Sequence, residues 1–317
     1  MKIAFLTEGS YIGKIPRNHP SRTDQAWICA LDAIHYPLNY LIQDNYDIGI
    51  VIIPKKCEDT SFNLDEWIDN HLPKIKSRFN KLAFMQEGPN NLFQDLSVPT
   101  QLRYLEFLNL VDIIFCHNEY DQLYYRGLFP DKDVRILSSL IIEDALPKEI
   151  MAKKEQRSGV MIGGNWVSWY GGLDSFFISN EFIDEPKYAP SMGRKQEYED
   201  YFDDIKYLPY MNWSDWMVEL SKRKYAIHLM RTYAAGTFQL NCAYLGIPCL
   251  GWNITDTQRI CFPELSVEPG NMVKIRKIAK HLYTNEQFYN YVSEYAKKAY
   301  HDNFRESIFI NKFYQKM

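Results

Sequence analysis

Glu87 follows the apolar run Leu82–Met85 and precedes Gly88-Pro89, a pair that turns the chain sharply. In α/β sheets ligands bind beyond the carboxyl ends of the strands, so a carboxylate there can take the proton of an acceptor hydroxyl once burial lifts its pKa. A solvated loop glutamate or a helix cap is the plainer alternative. A second group of polar residues follows the run Ile3–Leu6. Glu8-Gly9-Ser10-Tyr11-Ile12-Gly13 places two glycines where the backbone of Gly9 and Ser10 can approach a ligand closely. Arg17, His19, Arg22 and Asp24 then precede an apolar helix expected over Ala26–Ala33. His19 is a second candidate base, or an inert loop histidine; Asp24 is a substrate contact or, like Ser21, the cap of that helix. The glycine spacing is not the dinucleotide fingerprint.

Anion chemistry concentrates in the second half. Gly163-Gly164-Asn165 follows the run Gly159–Ile162, and the amides of such a loop can hold a phosphate. From Arg231 to Gly251 the chain offers the end of an apolar strand (Ala226–Met230), the small loop Ala234-Ala235-Gly236, a helix over Thr237–Leu245, then Gly246-Ile-Pro248 and a strand over Ile247–Gly251. Unpaired N–H groups at that helix start, at Gly236 and Thr237, suit a diphosphate, with Arg231 as its cation or as one half of a surface ion pair.

The elements that must position these groups are legible as alternation. Ile3–Leu6, Ile48–Ile53, Leu82–Met85, Ile113–Cys116 and Val134–Leu137 are separated by helical periodicities, which predicts β-α-β units and a parallel sheet. A polar stretch, Lys148–Ser158, reads as a linker between a domain over 1–150 and another over 158–300, with a helical tail over 301–317. Thr284 and Gln287 form the expected capping box of a late helix whose buried stripe is Phe288, Tyr291, Val292, Tyr295 and Ala299.

Bulk composition is that of an ordinary globular protein. Among 317 residues, 46% are hydrophobic and 24% charged, and the length predicts two cores of roughly 150 residues each. The net charge of −4 argues against a strongly electrostatic nucleic-acid binder but leaves room for a local basic groove, with Arg17, Arg22, Arg78, Lys81 and Arg103 as contributors. No apolar run is long enough to span a membrane, and the opening run is too short for a secretion signal, so a cytoplasmic protein is expected. The six cysteines lack any C-x-x-C pair. No metal or cofactor is demanded; Asp200, Asp203 and Asp204 read as a solvated face.

From Gly236 to Pro248, through Phe262-Pro-Glu-Leu-Ser-Val267 and the two helices after it, the chain resembles the donor half of the GT-B glycosyltransferases. The resemblance implies an α/β fold of two Rossmann-like domains facing each other across a cleft, with C-terminal helices packing back towards the N-terminal domain. It implies transfer of a sugar from a nucleotide-diphosphate sugar, the co-substrate, to an acceptor hydroxyl. Many retaining members carry two glutamates here; this chain has Tyr233 and Asn241 at those positions. Asn241 can still bind a ribose hydroxyl, whereas Tyr233 cannot replace a carboxylate, which favours inversion with Glu87 as base. Tyr210 and Met211 stand where the family holds the donor base, or else pack in a core. A similarity to the DNA glucosyltransferases of T-even phages places a catalytic carboxylate in the loop Met85–Pro89. The acceptor is then a glycan, a lipid-linked sugar or a hydroxymethylated base of phage DNA, and the Lys, Asn, Tyr and Ile content suits a phage or bacterial gene. A non-catalytic sugar or nucleotide binder and a nucleotide-sugar epimerase of the same fold are the competing readings.

Overall fold

Apolar runs too short to stand alone pair into two parallel sheets in the computed structural model, which describes residues 1–21, 23–54, 62–148, 150, 156–164, 168–191 and 197–315. Contacts divide the chain into two units, one of Met1–His19, Thr23–Ser138 and Phe313–Met317, the other of Pro20–Arg22 and Ser139–Lys312.

The first unit runs β1 (Ile3–Thr7), α1 (Asp24–Ala30), β2 (Ile34–Pro37), β3 (Tyr46–Ile53), α2 (Leu64–Glu66), α3 (Leu72–Ile75), β4 (Phe79–Gln86), α4 (Val98–Leu110), β5 (Ile113–Cys116), α5 (Glu119–Leu128) and β6 (Asp133–Ile136). Its six strands lie in the order β2-β1-β3-β4-β5-β6, each pair parallel. From Ile48 to Ile53 every residue of β3 is buried, as a central strand covered on both faces requires. The order reverses at β1, with β2 on one side and β3 on the other, so the carboxyl ends of β1 and β3 flank the sheet's switch point.

The second unit runs β7 (Val160–Ile162), α6 (Gly172–Ser179), β8 (Lys187–Pro190), β9 (Ile205–Leu208), α7 (Trp213–Ser221), β10 (Tyr225–His228), α8 (Thr237–Leu245), β11 (Cys249–Trp252), α9 (Asp256–Cys261), β12 (Ser266–Val267), α10 (Met272–Thr284) and α11 (Glu286–Asn303). Helix α12 (Glu306–Gln315) ends the described chain. The strand order β12-β11-β10-β7-β8-β9 is again parallel throughout. Here the chain winds outward from β7 to β9, then restarts beside β7 with β10. The switch point therefore lies between β7 and β10, as in doubly wound nucleotide-binding sheets.

Several sequence expectations need correction. Strand β2 was not anticipated; the helix before it stops at Ala30 rather than Ala33, and Asp32 takes a left-handed φ of 49° in the connecting turn. Strand β10 ends at His228, two residues before Met230, and β11 starts at Cys249, after Pro248 has turned the chain. Helix α11 is capped by Asn285, whose side chain accepts the Phe288 amide, while Thr284 hydrogen-bonds back to Lys280 O. Its buried face is Tyr289, Val292, Ser293, Ala296, Ala299 and Tyr300; Tyr291 and Tyr295 are exposed. Of the linker read over 148–158, residues 149 and 151–155 lie outside the described residues, as do Arg22 and Asn165.

Candidate functional site

In the first unit the candidate chemistry gathers at the ends of β1 and β4. Glu87 is half-buried just past β4, and its amide donates to Ile53 O, the end of β3, at 2.9 Å. Asp24 is the first residue of α1. It does not cap that helix: Thr23 occupies the cap position with φ 56° and no side-chain hydrogen bond closes the turn. Instead Asp24 Oδ2 lies 3.2 Å from the hydroxyl of Thr7 at the end of β1. Burial raises the Asp24 pKa above the usual carboxylate value and the nearby Glu87 charge adds to the shift, against hydrogen bonds from Gln25 and Thr7 and the charge of His35. A buried carboxyl group with a raised pKa beside a second carboxylate is the raw material of an acid–base pair.

The loop after β1 folds back over this cluster. Gly13 and His35 exchange backbone hydrogen bonds of 3.0 and 2.9 Å, and Gly9 and Ser10, both exposed, form the outward turn of the loop. At Gly9 φ is +114° and no atom stands within 4 Å of where a Cβ would lie, so the backbone there is open to close approach. His19 sits in an exposed turn, its amide donating to Pro16 O at 2.9 Å. Beyond Glu87, the Gly88 amide donates to His117 Nε2 at 3.3 Å, and the His117 ring lies 5.6 Å from Trp27. Of the basic residues, Arg103 is engaged by Asp69 and by Glu106, the latter at 2.6 Å.

In the second unit the glycine loops fall at the switch point. Gly163 and Gly164 follow β7, and a Cβ on Gly163 would lie 2.8 Å from the His228 ring, so only glycine fits beside it. After β10, Gly236 takes φ 68° and ψ 31° as the residue before α8, and no side chain caps the helix. The amides of Thr237, Phe238 and Gln239 precede the first helical bond, which Leu240 N–H makes to Gly236 O at 3.0 Å. Two side chains brace this loop: Thr257 Oγ1 donates to Gly236 O at 2.9 Å, and Ser139 Oγ donates to Ala235 O at 3.0 Å. Ser139 Oγ is also 3.5 Å from the hydroxyl of half-buried Thr237. Among the described residues no side chain covers the first amides of α8, and the braced loop presents them as N–H donors able to hold an anion without reorganising.

Arg231 is exposed and its guanidinium meets Asp174 at 2.7 Å, the surface ion pair left open by the sequence. Asn241 is buried on α8, and among the described residues its Oδ1 has no hydrogen-bond partner. Tyr210 is 64% exposed, so it is not packed in a core; Met211 is half-buried. Both follow the edge strand β9, two strands from β7, whereas Gly164, Gly236, Thr237 and Asn241 belong to the loops and helix at the switch point.

Two histidines escaped the sequence reading. His35 is buried in β2 and touches the Thr7–Asp24 pair; its only sequence signal is a polar ring inside the short run Ile34–Pro37. His228 ends β10, between Tyr170 and Phe238 with ring centroids 5.9 and 5.0 Å away. Among the described residues neither of its ring nitrogens has a hydrogen-bond partner. Burial pushes its pKa down to about 4; the Gln239 side chain works against that shift without meeting hydrogen-bond geometry.

No protein-family model and no curated protein sequence matches the chain. Solved structures do. Sucrose-phosphate synthase from Thermosynechococcus elongatus superposes with a TM-score of 0.66 at 11% identity, over 100% of this chain and 99% of that one. An alpha-glucosyltransferase in complex with UDP and a 13-mer DNA containing an HMU base gives 0.63 at 12% identity, over 99% and 98%. The alpha,alpha-trehalose 6-phosphate synthase of Burkholderia multivorans gives 0.62 at 10% identity, over 88% and 71%. The chain shares with these glycosyltransferases the GT-B fold of two Rossmann-like domains expected from its sequence.

Proposed function

We propose that the protein is a glycosyltransferase that moves a sugar from a nucleotide-diphosphate sugar to an acceptor hydroxyl. The observation that carries this reading is the uncapped start of α8 at the switch point of the second sheet, where Gly236 holds the left-handed turn and carries no side chain in front of the amides. There the bare amides of Thr237 to Gln239 stabilise the negative charge that grows on the departing diphosphate. Arg231 exchanges Asp174 for the same phosphate, Gly164 and Asn165 supply further backbone contacts, and Asn241 offers its unpartnered carbonyl oxygen to a ribose hydroxyl. Tyr210 and Met211 remain the proposed contacts to the base.

In the first unit Glu87 takes the acceptor proton and Asp24 is its acidic neighbour, with Gly9 and Ser10 near the sugar. Inversion of the anomeric centre follows from a base with no covalent nucleophile assigned. The acceptor is a glycan, a lipid-linked sugar or a hydroxymethylated base in DNA. A panel of UDP- and GDP-sugars tests the reading by calorimetry and by release of nucleoside diphosphate. Binding of at least one donor, with slow hydrolysis in the absence of acceptor, is expected. Failure of every donor to bind or turn over rejects it.

A further inference from the structure

The hydrogen bonds around His35 determine where protons must lie. The carbonyl oxygen of Tyr11 can only accept, so its 2.6 Å contact with His35 Nδ1 requires the proton on Nδ1. In the neutral ring Nε2 is then a bare acceptor, and the Thr7 hydroxyl 2.9 Å away must donate to it. Thr7 has one hydroxyl proton. Committed to His35, it leaves only lone pairs facing Glu8 O at 3.1 Å and Asp24 Oδ2 at 3.2 Å. The Glu8 carbonyl carries no net charge, but an ionised Asp24 would set a full negative charge against those lone pairs with no proton between them. With the ring neutral, a proton lies in the Thr7–Asp24 contact only if Asp24 is protonated and donates from Oδ2 to Thr7 Oγ1, the reverse of the bond that Thr7 would give an ionised carboxylate.

We propose that His35 is a positioning residue which, acting through Thr7, keeps Asp24 as a neutral carboxylic acid beside Glu87. The inference deepens the transferase reading and rests on it for the role of Glu87. The proton arrangement itself rests on Tyr11, His35, Thr7 and Asp24 alone.

Among the described residues, the titratable and polar side chains facing Asp24 are Thr7 at the end of β1, His35 from β2 and Glu87 from the end of β4. Of these only His35 can become cationic, and burial disfavours that form. Burial, and after it the Glu87 charge, move the Asp24 pKa towards the protonated form, while a hydrogen bond donated by Thr7 or a positive charge on His35 would oppose that shift. The device also depends on the glycine loop. The Gly13–His35 backbone pair holds the Tyr11 carbonyl against Nδ1, and the Tyr11 ring stacks on the imidazole with centroids 6.1 Å apart. Loop and tautomer are thus set together.

Nitrogen-15 NMR of the intact protein tests the proposal without any substrate, with His35 assigned by its loss in His35→Gln. At pH 7 His35 must be neutral, with Nδ1 protonated and Nε2 bare. An Nε2–H tautomer or an imidazolium overturns the proposal. Carbon-13 titration of Asp24 supplies the second readout. His35→Leu frees the Thr7 proton for the carboxylate, and the Asp24 midpoint should fall by about one pH unit. His35→Gln, with an amide N–H and carbonyl at the spacing of the ring nitrogens, should restore it. An unmoved midpoint in folded His35→Leu refutes the link; if that variant fails to fold, the wild-type tautomer still decides. These outcomes are independent of turnover, so loss of all donor binding would reject the transferase reading while leaving the proton arrangement to stand or fall by NMR.

Discussion

Acidification should weaken the second unit through His228, by an amount set by its burial. The ring is 4% exposed, its nitrogens are unpartnered among the described residues, and its pKa of about 4 lies below the value of 6.5 for a free histidine. Because the folded pKa is depressed, the unfolded chain binds the extra proton between those two values. Stability present at neutral pH is therefore lost as pH falls through this window. The difference corresponds to about 3 kcal/mol in full, and to about 2 kcal/mol at pH 5, at about 1.4 kcal/mol per pH unit. His228→Phe keeps an aromatic ring against Tyr170 and Phe238 and removes the titration. Urea unfolding of wild type and variant, followed by tryptophan fluorescence at pH 7.5, 6 and 5, isolates the term, since every other titration cancels in the difference. The wild type should lose about 2 kcal/mol relative to the variant between pH 7.5 and 5. A difference that stays constant with pH refutes the reasoning, because it would mean that the imidazole finds a partner for its charge.

Glu87→Gln should retain donor affinity and lower transfer about 100-fold, the scale of general-base loss; unchanged transfer removes Glu87 from the mechanism. Arg231→Ala should weaken nucleoside diphosphate binding at least about tenfold in calorimetry, with melting temperature almost unmoved because the Asp174 pair is an exposed one. Equal affinity would return Arg231 to a surface role. Asn285→Ala removes the cap of α11 and should cost about 1 kcal/mol, read as a drop of a few degrees in melting temperature; no change would show that the packed stripe alone holds the helix start.

The parallel sheets were legible because their central strands are continuous apolar runs, as in β3 and β5. Strand β2 was not, since Ile34–Pro37 has four residues, includes a histidine and ends in proline. Such a segment is tolerated because β2 is the edge of its sheet. The face of α11 was misplaced because tyrosines occur on both sides of it, and periodicity cannot rank Tyr289 over Tyr291. Candidate residues of the α8 loop were readable from glycine spacing and family resemblance. The electrostatic coupling of Asp24 to Glu87 was not, being a product of strand order across most of a domain. His35 and His228 derive their character from burial and partners, which no single position in the sequence discloses.

Helix capping separates the two kinds of helix start in this fold. Asn63, Ser97, Asn118, Asn212, Thr255, Asn271 and Asn285 each accept an amide from the first turn of the helix that follows. The helices α1, α6 and α8, which follow β1, β7 and β10, have no such cap; their cap positions are Thr23, Gly171 and Gly236, all at positive φ. Helix α3 also lacks one, but it continues directly from the helical turn Trp67–His71 after α2 and so is not a free helix start. Strands β1, β7 and β10 each flank a switch point. A cap is worth about 1 kcal/mol and a side chain that supplies it occupies the space in front of the amides. Stability has thus been forgone at the helix starts where topology alone would place a ligand, and secured at helices whose amides have nothing else to bind. That coincidence of missing caps with strand-order reversal ties the local chemistry of Gly236 and Asp24 to the architecture of both sheets.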